Sequence, residues 1–162
     1  MTTLRVQFPP NWPGWSVSEY TLYSVLIPHS SKVAGKLISV SVDPETHADY
    51  CSDSPVFRGS FIDSSRPNAT VVLKFALRED LIPDLAEEAD AYTGALEPLQ
   101  GTTVPYCYGL YTGLRGDGEP IACLMLEHWG ECIGQPFERL PINVRCVGLC
   151  SLLKYKFDTS MG

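Results

Sequence analysis

The 162-residue sequence has few basic residues and no long apolar run. Twelve Lys and Arg stand against nineteen Asp and Glu, which gives a formal net charge of -7. Non-specific binding to nucleic acid needs basic side chains that neutralise phosphates, so this balance argues against it. No apolar segment has the length of a signal-peptide core or of a membrane span. We therefore expect a soluble, intracellular protein of the cytoplasm, with the nucleus left open, and neither a membrane nor a nucleic-acid partner.

The sequence also lacks the spacings that mark metal sites and nucleophilic catalysis. None of its six cysteines forms a C-x-x-C pair, and Cys146 and Cys150 have no His nearby that would complete a zinc site. The three His share no ligand spacing, and no Ser-His-Asp or Cys-His arrangement has local support. The sequence thus predicts no metal site and no catalytic residue.

Composition and the positions of turn-forming residues divide the chain into three parts. Hydrophobic residues make up 44% and charged residues 19%, which suits a single folded domain with a buried core. Three Pro within residues 1–20 predict an irregular N-terminal arm over residues 1–32. We expect residues 33–135 to form the folded domain and residues 136–162 to form a C-terminal extension or a truncated tail.

Apolar periodicity within residues 33–135 predicts five strands and one helix. Alternating or β-branched runs predict strands at residues 33–42, 56–61, 70–76, 104–111 and 121–127. Apolar residues at steps of three and four predict a helix over residues 81–97, between the third strand and the hairpin formed by the last two. This order predicts an α+β fold, an antiparallel sheet of about five strands with the helix packed on one face.

Helical phase selects a partner for Lys74, which lies within the apolar third strand. Glu88 follows Leu85 by three residues and therefore borders the apolar stripe of the helix, whereas Glu87 points to solvent. A Lys on the core side of a strand needs a carboxylate, because an unpaired buried ammonium is costly. We expect Lys74 to pair with Glu88.

Two segments carry a resemblance to a known family. Val71-Val72-Leu73-Lys74 matches the V-A-I-K motif of protein kinases, and residues 123–127 followed by His128-Trp129-Gly130 look like the fifth strand and the hinge. Over residues 50–135 the chain resembles the small lobe of protein kinases, and more closely the divergent kinase-like proteins of fungi. The resemblance implies an ATP site whose residues here would be Lys74, Glu88, Val72, Met125 as the gatekeeper, Glu127 and Trp129.

The chain departs from this family at the phosphate-covering loop and at the motifs that supply the base and the metal ligands. Residues 50–55 stand where the Gly-rich loop belongs but contain no Gly, and Asp53 would oppose phosphate charge. No H-R-D-x-x-x-x-N and no D-F-G occurs, so the base and both metal-binding side chains are missing. Although the family consists of phosphotransferases, we expect this chain to be inactive alone and to bind ATP weakly at most.

Three hypotheses remain open from the sequence. The chain is a pseudokinase-like lobe with a vestigial nucleotide site, a non-catalytic interaction module that docks through its acidic helix or exposed sheet, or the truncated product of a kinase-like gene. The sequence leaves the partner, the substrate, the oligomeric state and the existence of a longer product undetermined.

Overall fold

The structure, a computed structural model, describes residues 1–12, 15–26, 36–45, 53–62 and 69–130. Seven strands and one α-helix follow one another along these segments. The strands are β1 Thr3–Gln7, β2 Glu19–Leu26, β3 Leu37–Val42, β4 Val56–Phe61, β5 Thr70–Ala76, β6 Cys107–Leu114 and β7 Pro120–Glu127. The helix, α1, covers Ile82–Thr93 between β5 and β6, with a single 3₁₀ turn on either side of it.

The seven strands close into a barrel in the order β1-β2-β6-β7-β5-β4-β3. Every neighbouring pair is antiparallel except β1 and β3, which run parallel and close the barrel. The predicted fold class, a kinase-like small lobe with an antiparallel five-stranded sheet, is therefore wrong. All five predicted strands exist and are neighbours in the barrel, in the order β3-β4-β5-β7-β6. They do not form a separate sheet, because β1 and β2 connect β3 to β6 and close the barrel.

The two additional strands lie in the segment that the sequence predicts to be an irregular arm. In β1, Leu4 and Val6 point inward and are fully buried. In β2, Leu22 is fully buried and Tyr20 is buried. Burial alternates along both strands, as expected for strands with one face on a core. Between them, Trp12 and Trp15 pack against the ring of Phe57, which anchors the connection to the barrel.

The barrel interior is filled by side chains from all seven strands. The largest fully buried ones are Tyr111, Phe57, Phe75, Leu4, Leu22, Leu73, Ile121 and Met125. Close strand approach leaves no room for a side chain at two positions on the wall. A Cβ on Gly59 would lie 2.7 Å from Cγ1 of Val40, and one on Gly113 would lie 2.7 Å from Cδ2 of Leu22. The barrel is thus a packed core and not a container.

A second apolar cluster lies outside the barrel, where α1 packs on β5, β6 and β7. The helix buries Leu85 and Ala89 in this cluster. The strands present small or aliphatic residues to it, namely Ala76, Leu110, Ala122, Leu124 and Leu126. Pro83 lies in the first turn of α1, where the missing N–H of a proline costs no hydrogen bond within the helix. This packing fixes the side of α1 that faces the sheet.

Backbone contacts separate the chain into two units, residues 1–128 and residues 129–162. The first unit contains the barrel and α1. The predicted tail, residues 136–162, and the apolar segment around Cys146 and Cys150 lie outside the described residues. Among the described residues, no helix has the length and apolar character that a membrane-spanning helix requires.

Candidate functional site

The residues predicted to form a site centre on Lys74, which lies on the outer face of β5. In this strand Val71, Leu73 and Phe75 point into the barrel, so Val72 and Lys74 point outward on the side that α1 covers. Lys74 pairs in register with Val56 of β4 and Leu124 of β7. Because side chains alternate between the two faces of β5, the Lys74 ammonium lies at the edge of the interface between α1 and the sheet.

The ion pair predicted from helical phase is confirmed, since Lys74 Nζ donates a hydrogen bond to Glu88 Oε2. Glu88 lies between the buried residues Leu85 and Ala89 on the helix, whereas Glu87 is exposed. The side chains of Lys74 and Glu88 remain 37% and 34% exposed, so water still reaches both charges. The pair bridges α1 to β5 at the border of the apolar cluster.

The Glu88 charge influences two further side chains, Cys107 and Tyr92. Burial raises the pKa of the Cys107 thiol to about 11, and the nearby Glu88 charge adds to the shift against a backbone hydrogen bond from Gly109. Burial also raises the pKa of Tyr92, again with a contribution from Glu88. Burial therefore disfavours the thiolate form of Cys107.

The structure brings Val72 and Lys74 to one face but leaves Met125 on the other. Val72 pairs with Leu126, and both belong to the cluster under α1. Met125 pairs with Leu73 and is fully buried inside the barrel, on the opposite side of the sheet from Lys74. The β7 residues that share the face of Lys74 are Leu124 and Leu126.

The remaining predicted residues are Glu127, the last residue of β7, and Trp129. Glu127 Oε2 accepts a hydrogen bond from the backbone N–H of Tyr106 at 3.1 Å, and its own N–H donates to the Tyr106 carbonyl at 2.8 Å. The Glu127 side chain thus adds a hydrogen bond between the two chain segments at Tyr106, just before β6 begins. Trp129 is 48% exposed and belongs to the second unit.

The proposed phosphate loop lies only partly within the described residues, since residues 50–52 fall outside them. Asp53, which would face phosphate, instead accepts a hydrogen bond from Arg78 Nη1 at 3.1 Å. Two further N–H groups of Arg78 are bound to Asp80. Asp53 is therefore engaged by a basic side chain of this chain.

A surface concavity of about 620 Å³ lies near the start of α1, and sequence reasoning missed it. Its lining comprises Leu77, Arg78, Glu79, Asp80, Arg115 and Glu119, none of which is a predicted site residue. Arg115 is held by Asp117 and by the Leu77 carbonyl, so both arginines already have acceptors on this chain. Acidic side chains outnumber the basic ones around this opening. Among the described residues, no group of three or more His, Cys, Asp or Glu could hold a metal ion.

The arrangement around Lys74 is thus an ion pair at a helix–sheet junction, with its apolar neighbours engaged by α1.

A comparison with protein-family models found no match, and comparisons with curated proteins and with solved structures found none either.

Proposed function

We propose that this chain is a non-catalytic protein-interaction module that transfers no phosphoryl group by itself. Phosphoryl transfer depends on positioned cations and a base, and the sequence lacks the motifs that supply them. The resemblance to kinases rests on short segments, and the barrel uses those segments for packing.

One observation carries the proposal. The apolar residues that flank Lys74, namely Val72, Ala76, Leu124 and Leu126, pack with α1 in the second apolar cluster. A nucleotide base needs a concave apolar site that buries most of its surface. Because these side chains are engaged by the helix, the Lys74–Glu88 pair serves to hold α1 on the barrel.

Titration with Mg-ATP tests this assignment. Calorimetry on the full chain should give no saturable heat, and Lys74→Ala should leave that result unchanged. Lys36→Ala is the matched control, because Lys36 is exposed at the start of β3 and makes no side-chain contact with Glu88. A radiolabel transfer assay with general acceptor proteins should stay at background. Saturable ATP binding that Lys74→Ala abolishes and Lys36→Ala preserves would refute the proposal in favour of a nucleotide site.

A further inference from the structure

The concavity beside the start of α1 adjoins a buried tyrosine of the barrel. Leu77 and Arg115 line the concavity. Leu77 shares the barrel core with Tyr20 of β2, and the charge of Arg115 acts on the Tyr20 hydroxyl. Tyr20 is only 5% exposed, because its ring packs on the rings of Phe8 and Phe75 with centroids 5.6 and 5.7 Å away. The ring is therefore fixed, with its hydroxyl near Arg115.

The Tyr20 hydroxyl forms no hydrogen bond with another described residue. Burial raises the pKa of this hydroxyl, while the nearby Arg115 lowers it and Asp117 raises it, and the net change is upward. The hydroxyl is therefore protonated at neutral pH and available as a donor. A tyrosine whose ring is buried usually has a hydrogen-bond partner. The donor next to the concavity thus lacks an acceptor on the described part of the chain.

Arg115 is oriented by contacts within its own turn and with the barrel. Its backbone N–H donates to the Glu119 carbonyl at 2.8 Å, in the turn that joins β6 to β7. Its Nε and Nη2 donate to Asp117, and its Nη1 donates to the Leu77 carbonyl at 3.5 Å. These contacts leave part of the N–H groups of the guanidinium unused. The unused groups have a fixed direction, which suits a planar carboxylate.

Carboxylates on the same concavity disfavour a ligand that carries only negative charge. Glu79 and Glu119 both line it and are exposed, and neither has an ion pair within the segments that the structure describes. The Glu119 charge also acts on Arg115, so groups of both signs lie close together. A ligand with both charges can contact them simultaneously. The concavity measures about 620 Å³, a volume typical of small-molecule sites.

We infer that this concavity binds a small zwitterion with an apolar side chain, of the chemical class of the neutral amino acids. The carboxylate of the ligand accepts hydrogen bonds from the Tyr20 hydroxyl and from Arg115. Its ammonium contacts Glu79 and Glu119, and its side chain packs on Leu77. The site shares no residue with the Lys74–Glu88 pair, so the inference is independent of the proposed function.

Titration of the full chain with L-leucine, followed by backbone amide signals in NMR, tests the inference. Saturable shifts should appear at Leu77 and Glu119, which line the concavity. Leucinamide lacks the carboxylate and N-acetyl-leucine lacks the ammonium. Each should bind about tenfold more weakly than leucine, because one charged contact is lost. Equal affinity for the three compounds, or no saturable shift with leucine, would overturn the inference.

Tyr20→Phe and Tyr23→Phe are a matched pair of variants within β2. Each removes one hydroxyl, but Tyr23 is 45% exposed and does not belong to the barrel core. Tyr20→Phe should weaken leucine binding about tenfold, and Tyr23→Phe should change it by less than about twofold. Dispersion of the amide signals checks that both variants are folded. Equal effects of the two variants would contradict the assignment of the Tyr20 hydroxyl.

Glu119→Gln tests the ammonium contact without a change in the core, because Glu119 is exposed. Leucine binding should weaken about tenfold in this variant, whereas the weaker binding of N-acetyl-leucine should stay the same. An unchanged affinity for leucine, or an equal loss for both compounds, would show that the concavity does not recognise a zwitterion. None of these outcomes bears on the ATP titration, which tests the interaction module separately.

Discussion

Glu88→Ala removes the carboxylate that Lys74 contacts and should destabilise the protein by about 0.5–1 kcal/mol. The pair is only partly exposed to water, and without Glu88 the ammonium would remain beside the apolar side chain of Leu124. Glu87→Ala is the matched control, and it should be neutral or slightly stabilising because it removes a like-charge neighbour and inserts a better helix former. Urea unfolding midpoints measure both changes. A larger loss for Glu87→Ala than for Glu88→Ala would contradict the role of the pair.

The same residues show which contacts a sequence reveals. The choice of Glu88 needed only the phase of one helix, which local spacing fixes. The placement of Met125 needed the register of β7, and a shift of one residue moves a side chain to the other face of a sheet. Every residue from Ile121 to Leu126 is buried, so burial on both faces removed the alternation that would have fixed the register.

At the scale of elements, Gln100 joins the end of α1 to the start of β6. Its side chain donates to the Tyr92 carbonyl at 2.7 Å and accepts from the Cys107 N–H at 2.9 Å, while remaining buried. Gln100→Ala leaves both backbone groups without these partners and should cost about 1–3 kcal/mol. Gln7→Ala is the control, because the Gln7 side chain is exposed, and its loss should stay within about 0.5 kcal/mol.

Hydrogen exchange provides a readout specific to this junction. The Cys107 amide should exchange faster in Gln100→Ala than in the unaltered protein, beyond the change expected from lower global stability. Equal exchange at Cys107, or equal costs for the two glutamine variants, would show that the junction does not depend on Gln100.

Sequence periodicity placed the central elements closely. The predicted strands 56–61 and 70–76 have the observed bounds, and the predicted helix 81–97 ends earlier, at Thr93, where Gly94 caps it. The strands β1 and β2 were missed although Leu4 and Val6 alternate with Thr3, Arg5 and Gln7. Prolines and tryptophans in the following connection weighed against a strand prediction there, since Pro is a strong marker of irregular structure.

Closure of the barrel is a property of the whole molecule that no local pattern contains. It depends on the parallel pairing of Thr3–Gln7 with Leu37–Ser41, segments more than thirty residues apart. The resemblance to kinases covered residues 50–135 and so excluded both strands that close the barrel. The order of the shared elements was consequently right, while the fold class derived from them was wrong.

Closure predicts how fragments of the chain behave. Residues 33–135, the domain predicted from the sequence, should not fold alone, because loss of β1 and β2 unpairs one edge of β3 and of β6. It also removes the core side chains of Leu4, Val6, Tyr20 and Leu22. Each of these buried side chains contributes about 2–5 kcal/mol to the free energy of unfolding. Their combined loss therefore exceeds the free energy of unfolding of an ordinary domain.

Two fragments and one peptide make this prediction testable by urea unfolding and amide dispersion in NMR. Residues 1–135 should unfold cooperatively like the full chain, and residues 33–135 should show no cooperative transition. Addition of a synthetic peptide of residues 1–32 should restore the transition to the shorter fragment, because an unpaired barrel edge is a template for the missing strands. Cooperative unfolding of residues 33–135 without the peptide would mean that β1 and β2 are dispensable, and that the strands of the shorter fragment form a stable sheet without closure.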